Sequence, residues 1–312
     1  MLEEEKVHGE RASTSVLSAQ FSDFRPQVSG FFSSPSLLIV GGDSMIGGAL
    51  AREAKHLNTP FQVTSRRRDA RWPLDLSKHP ESWQLPDTSA AILCAATTSL
   101  AKCEAAPQET RKINTEATIT LAENLAEQGK SIIFLSTSRV FPPWLENPCE
   151  STAPEPVTEY GRQKLAVEEY LLRNHPAAKI IRLSKVISPS LPLLEFWSRS
   201  LDRREPVKAF QDFFLSPIAL KSSAKAILQI SLGPTPGIFH LSASDAISYF
   251  EVAQFIARRQ DCETSVVQPA SSPQSNTPGS TILACPRTIK TTPFRPITAM
   301  ENLHAAFARS TP

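Results

Sequence analysis

The sequence predicts an α/β protein built on a doubly wound parallel sheet, with a smaller C-terminal lobe. Three observations carry that expectation. Short apolar runs alternate with helical stretches from Ser36 to about residue 184, a glycine-rich turn joins the first run to the first helix, and the later chain mixes its elements less regularly. Strands alternating with helices imply right-handed crossovers and a parallel sheet covered on both faces. The division expected is a dinucleotide-binding domain over 36–185 and a smaller substrate-binding lobe over 186–312, with residues 1–35 a mobile extension.

Each element has its own local reason. "SLLIV" at 36–40 is a continuous apolar run, as a strand buried on both faces requires, and "SMIGGALAREAKHL" behind it carries Ile46, Leu50, Ala54 and Leu57 at helical spacing. "FQVTS" (61–65) and "AAILCAA" (90–96) read as the next strands, and "QETRKINTEATITLAENLAEQG" (108–129) as a long helix ending at Gly129. "KSIIFLST" (130–137) is a fourth strand, "VTEYGRQKLAVEEYLLRN" (157–174) a helix and "AKIIRLS" (178–184) a fifth strand. In the lobe, "GIFHLS" (237–242) is a strand able to return to the sheet. The 26 prolines cluster near 142–156, 189–192, 234–236 and 269–296 and mark loops.

Composition excludes several classes. The chain has 312 residues, 41% of them hydrophobic and 21% charged, the balance of a soluble globular protein. Its formal net charge of +2, with dispersed basic residues, offers no surface for nucleic acid or a membrane. No run approaches the roughly 18 apolar residues of a membrane span. The start, "MLEEEKVHGERASTS", is acidic and lacks a signal peptide's apolar stretch. Five cysteines without a C-x-x-C pair signal neither a zinc site nor a disulfide framework, so a cytoplasmic location is expected and no metal.

Three constellations carry chemistry. In "GGDSMIGG", Gly41 and Gly47 stand where a backbone must turn sharply against a pyrophosphate, whose charge meets free N–H groups and the positive end of the next helix. Read alone, the stretch suits an ordinary turn equally well. At the end of the second strand, "VTSRRR" puts Ser65 and Arg66 where an acidic residue would select NAD, and an arginine there suits the 2′-phosphate of NADP. A solvated basic loop is the plainer alternative. In "YGRQK", Tyr160 and Lys164 lie four apart and rise from one helix face. A lysine ammonium beside a phenol favours phenolate and lowers the tyrosine pKa from about 10. Upstream, Ser136, Thr137 and Ser138 end a strand, where a hydroxyl could reach a substrate oxygen. The alternative is a surface Tyr/Lys pair beside a serine-rich turn.

Taken in order, the glycine loop, "STSRVF", "PCESTAPEPVTEYGRQKLAVEEYLL" and "IIRLS" resemble the extended short-chain dehydrogenase/reductases with their Rossmann-like NAD(P)-binding fold, above all the dTDP-4-dehydrorhamnose reductase branch and related sugar-nucleotide epimerases. The likeness spans roughly 36–260. It implies that Thr137, Tyr160 and Lys164 are catalytic. It implies further that Gly41, Ser44, Met45, Ile46 and Gly47 of the loop, Ser65 and Arg66, Asp75 and Leu76 at the adenine, Ala95 and Ala96 beneath the ribose, Asn114, Tyr160 and Lys164 hold the cofactor, with Pro189 near the nicotinamide. Two departures stand out. Ser44 replaces the middle glycine, its hydroxyl able to cap the helix and still donate to a phosphate, and 190–215 matches no particular sugar. The implied activity is an NAD(P)-dependent oxidoreductase reducing a keto group of a nucleotide-linked sugar, with NADPH favoured over NADH and a homodimer formed through 108–129 and 157–174. The alternatives are an epimerase or dehydratase with tightly bound NAD(P), and a non-catalytic dinucleotide-binding or redox-sensing protein.

Overall fold

A computed structural model describes residues 36–80, 83–272 and 282–308. The extension expected over 1–35 lies outside the described residues.

Leu37–Val40 (β1) is buried at every position and leads through the glycine turn into Met45–His56 (α1). Phe61–Val63 (β2) and Ala90–Leu93 (β3) are shorter than the apolar runs containing them, because the chain leaves the sheet at their C-terminal ends. Leu100–Ala105 (α2) is followed by one composite helix: Pro107–Arg111 (α3), a π-helical stretch Lys112–Ala117, and Thr118–Glu127 (α4). Gly129, at φ +75°, closes it. Ser131–Thr137 (β4), Glu159–Asn174 (α5), Lys179–Leu183 (β5) and Lys185–Ile187 (β6) come next. The later chain forms Pro192–Asp202 (α6), Val207–Phe210 (β7), Phe214–Leu215 (β8), Pro217–Ala219 (β9), Leu220–Leu232 (α7) and Gly237–Leu241 (β10). Ile247–Ser248 (β11), Tyr249–Arg259 (α8), Val267–Ala270 (β12), Pro286–Thr291 (α9) and Ala299–Phe307 (α10) complete it.

Six strands form one sheet in the order β10-β5-β4-β3-β1-β2, with every neighbouring pair parallel. This is the doubly wound α/β sheet the alternation predicts. Alternate residues of each strand enter opposite cores. Leu37, Ile39, Ile133, Leu135 and Ile181 pack on the α1 and α7 side, while Leu38, Val40, Ile132, Phe134 and Ile180 pack on the α4 and α5 side. A third cluster, from Ile187 to Leu303, joins α6, α8 and α10 around Trp197, Phe255 and Val267.

Strand order reverses at β1, which has β2 on one side and β3 on the other. In an open α/β sheet, the crevice beyond the carboxyl ends at such a point is where ligands bind. The glycine turn leaves β1 there. Ala95 and Ala96 leave β3 there too.

Candidate active site

The turn after β1 is shaped by close packing. Gly41 has φ +90°, and a Cβ on it would lie 2.9 Å from the backbone nitrogen of Ala95. A Cβ on Gly47 would lie 2.2 Å from the Gly41 carbonyl oxygen. Both positions therefore demand glycine. Ser44 caps α1 by accepting from the Gly47 amide at 3.0 Å, and it donates its hydroxyl hydrogen to the Gly41 carbonyl at 2.8 Å. With that one hydrogen Ser44 closes the turn from inside. The amides of Met45 and Ile46, in the first turn of α1, have no acceptor among the described residues and lie at the positive end of the helix dipole.

The loop after β2 is fastened to the glycine turn. Ser65 is buried, donates to the Asp43 carboxylate at 2.6 Å and accepts from the Arg67 amide at 3.1 Å. The Arg66 amide donates to the same Asp43 oxygen at 3.0 Å. Ser65 thus ties two loops together rather than offering a free hydroxyl. The Ser65 hydrogen bond is the leading cause that holds the Asp43 carboxyl below its usual range, with Arg66 and Arg67 adding to it. Asp43 went unnoticed in the sequence, although an acid inside the glycine turn was its signal. Arg66 keeps its exposed side chain free to point outward.

Asp75 accepts from the amide and the hydroxyl of Ser77 at 2.9 and 2.8 Å, through one of its two oxygens, and Leu76 beside it is buried. Asn114 sits in the π-helical stretch, one extra residue per turn that swings its amide toward β3. Its oxygen accepts from the Thr97 amide at 2.7 Å, and its nitrogen donates to the Thr97 carbonyl at 2.9 Å and to Gln163 at 2.8 Å. It therefore fastens the segment after Ala95 and Ala96 to the helix bearing Tyr160 and Lys164. Pro189 is exposed in the turn after β6, and no recorded contact joins it to these residues.

Thr137 ends β4, and its hydroxyl oxygen accepts from the Arg139 amide at 3.2 Å, which leaves the hydroxyl hydrogen free to donate. Thr158 caps α5 by accepting from the Gly161 amide at 3.1 Å, so Tyr160 and Lys164 both fall in its first turns. Gly161 lets that helix end lie against the turn after β4: a Cβ there would stand 2.2 Å from the Arg139 carbonyl oxygen. Gly161→Ala is therefore expected to push α5 away from Thr137, costing about 1–3 kcal/mol of stability with a parallel fall in kcat. Thermal unfolding and steady-state kinetics on one preparation check this.

The Tyr160–Lys164 pair differs from expectation in its electrostatics. Burial raises the phenol pKa above its ordinary value, and a charge on nearby Cys103 would raise it further. No hydrogen bond joins Tyr160 to Lys164 among the described residues. Instead the Lys164 ammonium lies 4.0 Å from the centre of the Phe134 ring. Burial pulls its pKa down to about 8, against the opposing pull of Glu168. Desolvation outweighs the attraction that the spacing suggested.

Beneath the pair lies a polar network that the sequence did not disclose. Arg182 on β5 is fully buried and forks onto Glu168 of α5 with N–O distances of 2.6, 3.0 and 3.2 Å. Ser136 donates to the same carboxylate, and Arg182 also stacks 5.0 Å from the centre of Phe141. An arginine inside the apolar run "IIRLS" was the available signal, since such a charge needs a buried partner.

A cavity of about 500 Å³ is lined by Arg139, Trp197, Lys208, Phe213 and Tyr249 among others. No group of three or more His, Cys, Asp or Glu placed to hold a metal occurs among the described residues. No described helix is long and apolar enough to cross a membrane.

A family model described as the RmlD substrate binding domain matches residues 35–307. A dTDP-4-dehydrorhamnose reductase of Sinorhizobium fredii is 30% identical over 174 residues, 53% of this chain and 59% of that protein. One from Mycolicibacterium smegmatis is 26% identical over 271 residues, 83% of this chain and 81% of its own length. The crystal structure of a dTDP-4-dehydrorhamnose reductase from Bacillus anthracis in complex with NADP superposes with a TM-score of 0.78 at 20% identity, over 89% of this chain and 99% of that one. That last likeness is one of fold.

Proposed function

The chain belongs to the RmlD substrate-binding domain family, and on that premise we propose that it is an NADPH-dependent reductase of a keto group on a nucleotide-linked sugar. The observation that carries the reading is that the sheet's switch point brings together a closed glycine turn, two unpaired helix amides, a free threonine hydroxyl and the Tyr160–Lys164 helix.

The residues fit a dinucleotide. Glycines pack where any Cβ would collide, and the Met45 and Ile46 amides lie open to a phosphate at the head of α1. The Asp43 latch holds the Arg66 backbone at the end of β2, where an arginine suits a 2′-phosphate. NADPH, when bound, supplies the hydride. Tyr160 then acts as the acid: its raised pKa keeps the phenol protonated near neutral pH, as a proton donor to a forming alkoxide must be. Thr137 donates its free hydroxyl hydrogen to the same oxygen. Lys164 contributes a partly desolvated ammonium whose positive charge favours negative charge on the phenol oxygen once the proton leaves. A cytoplasmic location and a homodimer through α3–α4 and α5 belong to the same proposal.

Fluorescence titration tests the cofactor half. NADPH is expected to bind saturably, and Arg66→Ala to weaken it by about tenfold or more, the scale of a lost charged hydrogen bond, while leaving NADH almost unaffected. Equal losses for both cofactors contradict the role given to Arg66.

A further inference from the structure

The cavity that Arg139 lines is built largely from cationic and aromatic side chains. Along β7, Val207 and Ala209 enter the core while Lys208 and Phe210 face the other way. That outer side is one wall of the cavity. Opposite stands a connected aromatic run, with Trp197 edge-on to Tyr249 at 6.2 Å and Tyr249 at 5.8 Å from Phe213. Arg139 completes it, its guanidinium carbon 6.0 Å from the centre of Phe213.

Charge balance is the anomaly. No carboxylate is among the described residues lining the cavity. None of the ion pairs among the described residues includes Arg139, Lys185 or Lys208. Burial lowers the pKa of the Arg139 guanidinium. Lys185, at the start of β6, is lowered too, first by burial and then by the charge of Arg139, so the two cations feel each other. Desolvated charges in proteins are paired as a rule, because an uncompensated one is costly. Arg139 and Lys208 line a cavity with aromatic walls and no carboxylate, with the charge of Lys185 near Arg139, and that leaves the counter-charge to the ligand.

Arg139 lies two residues beyond Thr137 and gives that hydroxyl its backbone hydrogen bond. The cavity its side chain lines is therefore bounded by the turn that follows Thr137. We infer that Arg139, with the charge of Lys185 near it, binds an anionic group of the substrate, and that this contact sets which nucleotide-linked sugars the enzyme accepts. The inference rests on the reductase reading. Two sources share the chemistry, a carboxylate on the sugar and a phosphate of its diphosphate link, since a planar guanidinium forks onto either.

Calorimetric titration of the full chain with UDP, UDP-glucose and UDP-glucuronic acid tests it, using wild type, Arg139→Gln, Arg139→Lys and Lys185→Gln. Arg139→Gln is expected to weaken at least one probe by about tenfold or more, with Arg139→Lys in between and Lys185→Gln milder. Loss with all three probes assigns the anion to the diphosphate; loss with UDP-glucuronic acid alone assigns it to the sugar carboxylate. If Arg139→Gln and Lys185→Gln bind every probe as wild type does, or if wild type binds none, the inference is overturned. NADPH titration of the same samples separates the two readings. Intact cofactor binding with a flat anion result removes the role of Arg139 alone, whereas lost cofactor binding in wild type removes the reductase reading.

Discussion

Tyr160→Phe is expected to lower kcat by about 10²- to 10⁴-fold, the range for a positioned proton donor, while NADPH still binds. The phenol is the acid in this account because burial keeps it protonated. The ring itself stays in place: Thr158 caps its helix and Gly161 seats that helix against the turn after β4, and neither contact uses the phenol oxygen. Loss of turnover with preserved cofactor affinity therefore isolates the proton. Comparable losses of turnover and NADPH binding would make Tyr160 a cofactor anchor instead. Unchanged turnover would remove it from the chemistry.

Glu168→Gln should produce the largest change in stability. Its carboxylate is fully buried, holds Arg182 by a fork and accepts from Ser136. Removing that charge leaves the Arg182 guanidinium uncompensated, which costs about 3–5 kcal/mol and should appear as a lower denaturation midpoint. A double variant, Glu168→Leu with Arg182→Met, removes both charges and is expected to regain much of the loss. Activity should not return with it. Glu168 is the neighbour that raises the Lys164 pKa against the pull of burial, so without it the pKa falls below about 8. In Glu168→Gln and in the double variant, the ammonium then gives up its proton at a lower pH, and the alkaline fall of the rate profile moves to lower pH. A stability loss with an unmoved pH profile would make the network purely architectural.

The sheet was legible because its strands are buried on both faces and appear as unbroken apolar runs between helices of helical period. Strand ends were less so: the runs at 61–65 and 90–96 stop pairing at Val63 and Leu93, where the chain turns into the loops beyond the sheet. The composite helix was read as regular because a π-helical insertion leaves no mark in a periodic pattern, yet it is what aims Asn114 at Thr97. Spacing found Tyr160 and Lys164. It did not find their electrostatics, because desolvation depends on every element packed around them. Asp43 and Glu168 escaped for one reason: each acts on residues distant in the chain, and single-sequence spacing does not display those partners.

The most direct test follows NADPH absorbance when the protein meets a nucleotide-linked 4-keto sugar. Saturable oxidation is expected, one NADPH per carbonyl reduced, abolished in Tyr160→Phe. NADPH that binds tightly but is never oxidised by any nucleotide-linked keto sugar would contradict it.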